Sequence, residues 1–378
     1  MPAEKIVVYG ATGLVGRRVC AELAARGASL AIAGRSRGAL LDVAAELAID
    51  DVRVAEIGDA LARALAGATV VVNCAPAALA EPIVLAALGA GAHYVDLGGD
   101  QRVAHELYER HESAARRAGR AVLIGAAVDC ALGDWGAAWA AAHVCGDPDD
   151  GDLVRAAPRA RLADDHPLDD VAVSYVFDNL ALSPADQRAV FAGLHARGLA
   201  WRRDRWERCA PAAEHRRINA GAALGGERDC ASFPGGDVIS LPRHVASRSI
   251  QTFASATRGR AAQTALRWLA RAMPLVPPRA TALLAPYATR ADEYARTSFA
   301  IVAQARREFS AAQVIVRGTD LYATSARIAA WCARMLAARG AGPVGMRAAS
   351  ELFRPAAALA EVAAAAELAV EPSFGPHL

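Results

Sequence analysis

Along the first 125 residues, short apolar runs alternate with stretches whose apolar positions recur three and four apart. Lys5–Tyr9, Ser29–Ala33, Val52–Glu56, Ala68–Val72, His93–Leu97 and Ala121–Gly125 read as strands. Between them lie helices, among them one with Val15, Val19 and Leu23 on its apolar face, one over Leu40–Ala48 and a long polar one over Arg102–Ala118. Short connections between alternating strand and helix predict an α/β fold with a doubly wound parallel sheet.

After the helix expected from about Gly133, the pattern changes. Gly146–Asp152 is an acidic, turn-rich run and marks a domain boundary. Beyond it, Val171–Phe177, Ser247–Ser255, Phe299–Ala305 and Gln313–Val316 read as strands, and Ser183 caps a helix over Pro184–Arg197. Arg202–Arg205 reads as a turn between short strands. Ala261–Met273 reads as an amphipathic helix stopped by Pro274, Pro277 and Pro278. It is either a packing helix or, with Arg267 and Arg271 on its polar side, an apolar lid or membrane-surface helix. Helices follow over Thr324–Arg339 and Pro355–Leu368. The expected domains are a nucleotide-binding α/β domain over 1–145, a mixed-sheet α+β domain over 146–340, and a helical segment over 341–378 returning to the first.

The connection after the first strand carries the chemistry. Gly10, Thr12, Gly13, Leu14, Val15 and Gly16 belong to a glycine turn that feeds a helix. Glycines at this spacing permit a tight turn, close approach to a pyrophosphate, and helix-on-strand packing, while the helix start offers free N–H groups to the phosphates. The second strand ends in Arg35, Ser36 and Arg37, with no carboxylate before Asp42. A ribose 2′-hydroxyl calls for an acid here and a 2′-phosphate for a cation, so NADP is the expected cofactor. Asp59 is either an adenine-side contact or a helix N-cap. Asn73, Cys74, Ala75 and Pro76 follow the fourth strand, where the switch-point rule places the nicotinamide ribose.

Composition narrows the class further. The chain is 54% hydrophobic and 22% charged with a formal net charge of +2, which gives no reason to expect nucleic acid. Seven scattered cysteines without a C-x-x-C pair argue against a disulfide framework or structural zinc. The first strand begins almost at once, and no apolar run is long enough to span a bilayer. The expectations are a cytoplasmic location and no metal.

The order GATGLVG, AGRS, VVNCAP, HYVDLGGD and VLIGAAVDCALGDW resembles the saccharopine dehydrogenase-like family, which includes saccharopine reductases and trans-acting enoyl reductases. Phe233–His244 and Val316–Tyr322 resemble later segments of that family, so the likeness runs over nearly the whole chain and is nearer the enoyl-reductase branch. The resemblance implies a Rossmann domain, a mixed second domain, NADP and a homodimer. Two departures stand out: Ala77-Ala78-Leu79 follows Pro76 where the family carries Gly-Pro and an aromatic, and Gly98-Gly99-Asp100 replaces Thr-Gly-Glu.

The candidate catalytic residues are Asp96 and Asp129, each at a strand end, and Arg243, suited to clamp a substrate carboxylate. Each has a structural alternative, as a turn or helix cap for the aspartates and as a strand cap for Arg243. Tyr94 reads as core with its hydroxyl at an edge, and Cys74 and Cys130 as small buried residues. No Tyr-x-x-x-Lys pair stands where a short-chain dehydrogenase would have it. The sequence thus points to hydride transfer to a C=N or C=C bond of a small substrate, amino-acid-derived or lipophilic. A non-catalytic dinucleotide-binding partner subunit is the alternative.

Overall fold

The computed structural model describes residues 4–146, 161–195, 197–210, 212–256, 289–338 and 342–375, with six isolated residues between 257 and 288. The expected boundary run at 146–152 and the helix at 261–273, with the prolines after it, fall almost wholly outside them. The described residues form two compact units, 1–131 with 322–352, and 132–321 with 353–378.

In the first unit the strands are β1 (Lys5–Tyr9), β2 (Ser29–Gly34), β3 (Asp51–Val54), β4 (Val70–Asn73), β5 (His93–Asp96) and β6 (Ala121–Leu123). They pair in parallel in the order β6-β5-β4-β1-β2-β3. Helices α1 (Leu14–Ala25), α2 (Arg37–Leu47), α3 (Asp59–Leu65), α4 (Ala80–Gly89) and α5 (Gln101–Ala118) connect them. The central strands are apolar on both faces, as a sheet covered on both sides requires: Val7, Val8, Ile32, Val71, Val72 and Val95 are fully enclosed. Between β1 and β4 the strand order reverses, and this switch point is where α/β sheets take ligands.

A seventh parallel strand (Gly345–Arg347, β15 in chain order) pairs with β6. A parallel neighbour needs a long crossover, and the helix Leu321–Ala337 is the segment that precedes it. Both belong to the first unit, whereas the helix Pro355–Ala366 belongs to the second. The chain therefore passes between units near 131, 321 and 352, in place of the single crossing near 145 and the terminal return that the sequence suggested.

The second unit is built on a mixed sheet around β7 (Asp170–Asp178). Its other strands are β8 (Gly198–Arg202), β9 (Arg205–Cys209), β10 (His215–Asn219), β11 (Glu227–Ser232), β12 (Ser249–Ser255), β13 (Ser298–Arg307), β14 (Ser310–Thr319) and β16 (Ala369–Gly375). Their order is β10-β11-β12-β7-β13-β14-β16, with the β8–β9 hairpin attached to β12. Only β7 and β12 run parallel within that sheet path.

Helix α6 (Ala131–Val144) lies against one face of this sheet. A Cβ at Gly136 would stand 3.0 Å from the Ala303 Cβ, and one at Gly133 would stand 2.8 Å from a Val173 methyl. Glycine at both positions is what lets the helix settle so close. The opposite face carries an apolar cluster that includes Val176, Ile218, Phe253 and Val302. The buried Arg228–Asp178 pair, 2.9 Å apart, joins β11 to the end of β7.

Candidate functional site

The glycine turn after β1 is shaped by three different demands. Gly10 has φ +83°, and a Cβ there would stand 2.9 Å from both the Ala75 nitrogen and the Cys74 carbonyl carbon. At Gly16 a Cβ would collide with the Gly10 carbonyl oxygen, so this glycine lets α1 pack on its strand. Gly13 is different. It is exposed, its φ of −74° suits any residue, and a Cβ would meet only the Gly10 oxygen, at 3.4 Å. The fold itself scarcely needs glycine there; in dinucleotide-binding turns a glycine at this place lets the pyrophosphate approach the backbone.

Gly13 is the N-cap of α1 and makes no side-chain cap. The helix therefore presents open N–H groups, with half-buried Thr12, Leu14 and Val15 around them.

Arg35, Ser36 and Arg37 are exposed at the end of β2. The Ser36 hydroxyl accepts from the Ala39 N–H at 3.4 Å and caps α2. Arg35 and Arg37 enter no ion pair or hydrogen bond with the described residues. Two guanidinium groups without an ion pair at this strand end have the charge and shape that suit a phosphate dianion. The Arg35 charge is felt nearby: burial raises the Tyr9 phenol above its usual value, and Arg35 acts to lower it. Asp59 is exposed in the first turn of α3, and the N-cap is Gly58 with φ +129°, so the capping alternative for Asp59 does not hold.

The loops after β4 and β5 are tied by side chains. The Asn73 amide nitrogen donates to the Tyr94 hydroxyl oxygen and to Asp96 Oδ2, both at 2.9 Å, while Asn73 Oδ1 accepts from the Ala75 N–H at 3.0 Å. The Tyr94 hydroxyl donates to Asp96 Oδ2 at 2.5 Å, so it is enclosed and engaged and does not lie at an edge. Asp96 Oδ1 accepts from the Gly98 N–H at 2.5 Å. Burial raises the Asp96 carboxyl above the usual carboxylate range, and the hydrogen bonds from Tyr94, Gly98 and Asn73 oppose that shift.

Cys74 and Ala75 are half-buried and Pro76 is exposed. Burial pushes the Cys74 thiol well above its ordinary value, which makes it a poor nucleophile.

Asp129 contrasts with Asp96. It is exposed, and its carboxylate lies against the Gly99 backbone, where a Cβ would collide with Oδ2. Cys130 beside it is buried. Asp100, next to Gly99, caps α5 by accepting from the N–H groups of Arg102 and Val103 at 2.9 and 3.0 Å. The strand ends thus bring together the glycine turn, the Asn73–Pro76 loop, Asp96 and Asp129.

Arg243 belongs to the second unit, half-buried at the end of a one-turn 3-10 helix (Leu241–Arg243). A polar knot that the sequence did not announce lies beside it. Asp134 Oδ2 accepts from the Ser240 hydroxyl at 2.8 Å and lies 3.0 Å from His244 Nε2, and all three are nine-tenths or more buried. The Tyr175 hydroxyl donates to Asp237 in the same unit. Ser240 and Asp134 stand 106 positions apart, and no spacing rule connects them.

Among the described residues no group of three metal-ligating side chains occurs, and no helix is long and apolar enough to cross a membrane.

This arrangement is the one found in α/β domains that take a dinucleotide at the switch point of the sheet. Residues 6–123 match the family model of the saccharopine dehydrogenase NADP binding domain. The likeness is of that segment to an NADP-binding domain, and it covers less than half of the chain.

Among solved structures, the apo saccharopine dehydrogenase (L-Glu forming) from Saccharomyces cerevisiae aligns with 99% of this chain and 100% of its own. The TM-score is 0.60 at 11% identity, so the likeness is one of fold. A nucleoside-diphosphate-sugar epimerase from Pseudomonas aeruginosa shares 24% identity over 32% of this chain and 51% of its own, with a TM-score of 0.27. No protein of curated function matches the sequence.

Proposed function

We propose that this protein is an NADP-dependent oxidoreductase acting on a C=N or C=C bond. The observation that carries the reading is the pair of unneutralised arginines, Arg35 and Arg37, beside a glycine turn whose middle glycine is explained by a ligand. Bound NADPH supplies the hydride; the chain holds the cofactor, orients the substrate and manages one proton.

In this reading Arg35 and Arg37 take the 2′-phosphate, Gly13 and the start of α1 take the pyrophosphate, and Asn73–Pro76 borders the nicotinamide ribose. Asp129 is the proton-handling group. It is an exposed carboxylate at the strand ends, whereas Asp96 is enclosed and committed to three donors. The small side chains of Ala77 and Ala78 leave room for an apolar substrate portion beside the nicotinamide loop. A homodimer in the cytoplasm is the setting that the family resemblance implies.

The test is NADPH oxidation against imines, iminium ions and enoyl substrates. Turnover of one class with NADPH preferred over NADH is the expected result. NADPH binding without oxidation of any of them would favour a non-catalytic dinucleotide-binding subunit, the reading kept open by the absent aromatic after Pro76.

A further inference from the structure

Asp96 sits where two ligand-side loops part. Asn73 and Asp96 are the last residues of β4 and β5 and stand opposite each other in register. Beyond them the ladder between β4 and β5 ends, and hydrogen bonds from side chains tie the two loops to each other. The two carboxylate oxygens divide this task. Oδ2 faces the first loop, accepting from Asn73 and Tyr94, and Asn73 in turn holds the Ala75 N–H. Oδ1 faces the second loop, accepting from Gly98. A side chain at Gly98 would stand 2.9 Å from that same oxygen, and the next residue, Gly99, lies under Asp129.

We infer that Asp96 is a positioning residue: it couples the loop 73–76 to the loop 98–100 and so fixes the nicotinamide end of the cofactor site without touching cofactor or substrate. The inference rests on the NADP reading above. At 3% exposure the side chain has no open face for a ligand. A buried carboxylate is costly unless its oxygens are satisfied, and here three donors from two loops satisfy them. Replacing the carboxylate by an amide puts a donor where an acceptor is needed, so one of the two loops must lose its tie.

The experiment titrates full-length protein with NADPH and with adenosine 2′,5′-bisphosphate, which carries the adenine and 2′-phosphate but no nicotinamide. Asp96→Asn is expected to weaken NADPH about tenfold, the size of one hydrogen bond to a charged group, and to leave the bisphosphate within about twofold of wild type. Tyr94→Phe, which removes one donor to Oδ2, is expected to weaken NADPH about threefold and spare the bisphosphate. Equal losses for both ligands, or unchanged NADPH binding in both variants, would overturn the inference. Should Asp96→Asn not fold, the same two outcomes in Tyr94→Phe decide. Wild-type protein that binds neither ligand would instead refute the NADP reading, and the inference with it.

Discussion

A side chain at Gly10 would stand 2.9 Å from the backbone nitrogen of Ala75, so the turn after β1 and the loop after β4 meet backbone to backbone. A side chain at Gly10 cannot be added without moving the loop after β4. Gly10→Ala adds the strain of a positive φ to this collision and is expected to destabilise the first unit by at least about 2 kcal/mol. Gly13→Ala meets no such obstacle. Its expected signature is the reverse: a denaturant midpoint near wild type and a loss of NADPH affinity of about tenfold or more. Urea unfolding and NADPH titration on both variants check the contrast.

Helix α6 offers a stability test in the second unit. A Cβ at Gly133 would stand 2.6 Å from the Tyr175 hydroxyl and 2.7 Å from Asp237 Oδ1. Alanine is the better helix former by about 1 kcal/mol, yet Gly133→Ala is expected to cost a net 1–3 kcal/mol, roughly the range for overpacking. A raised thermal midpoint in this variant would contradict the overpacking argument.

The pH dependence of stability follows from Asp96. Its carboxyl is raised by burial above the ordinary value of 3.8, so the folded protein binds this proton more tightly than the unfolded chain. Its contribution is complete below the unfolded value and is lost as pH rises through the raised folded value. Asp96→Asn abolishes that segment of the profile. Thermal unfolding across the weakly acidic range should show wild type losing stability relative to the variant as pH rises. Parallel profiles would contradict the assignment.

Asp129 is tested through kinetics once a substrate is in hand. Asp129→Asn is expected to lower kcat about a hundredfold, the lower end of general acid–base effects, with the NADPH Kd unchanged. An equal fall in cofactor affinity would make Asp129 a structural residue of the loop.

Much of the first unit was legible because its signals are local. Glycine spacing, an apolar run before it and the arginines of β2 all lie within 33 residues of one another, from Lys5 to Arg37. Strand-end residues such as Asn73, Asp96 and Asp129 could be placed because a parallel sheet puts successive strand ends on one side. What they do there could not be read. The partners of Asp96 include a tyrosine two residues back and an asparagine on the neighbouring strand β4, and only the structure separates an enclosed aspartate from an exposed one.

The second unit hid more. β16 carries Pro372 and is mostly exposed, as an edge strand can be, so it lacks the alternation that marks a strand. β15 has three residues, too few for any period, and β10 and β11 are dense in charged residues. The Asp134–Ser240–His244 knot joins segments more than a hundred residues apart, which only packing of the folded chain brings together.

The most direct test of the account is the affinity of wild type and Arg35→Ala for NADPH and NADH. Two unneutralised guanidinium groups at the end of β2 predict that wild type prefers NADPH. Arg35→Ala should then lose NADPH affinity by about tenfold or more while NADH changes little. Equal losses for the two cofactors, or a wild-type preference for NADH, would contradict the assignment of this strand end to a 2′-phosphate.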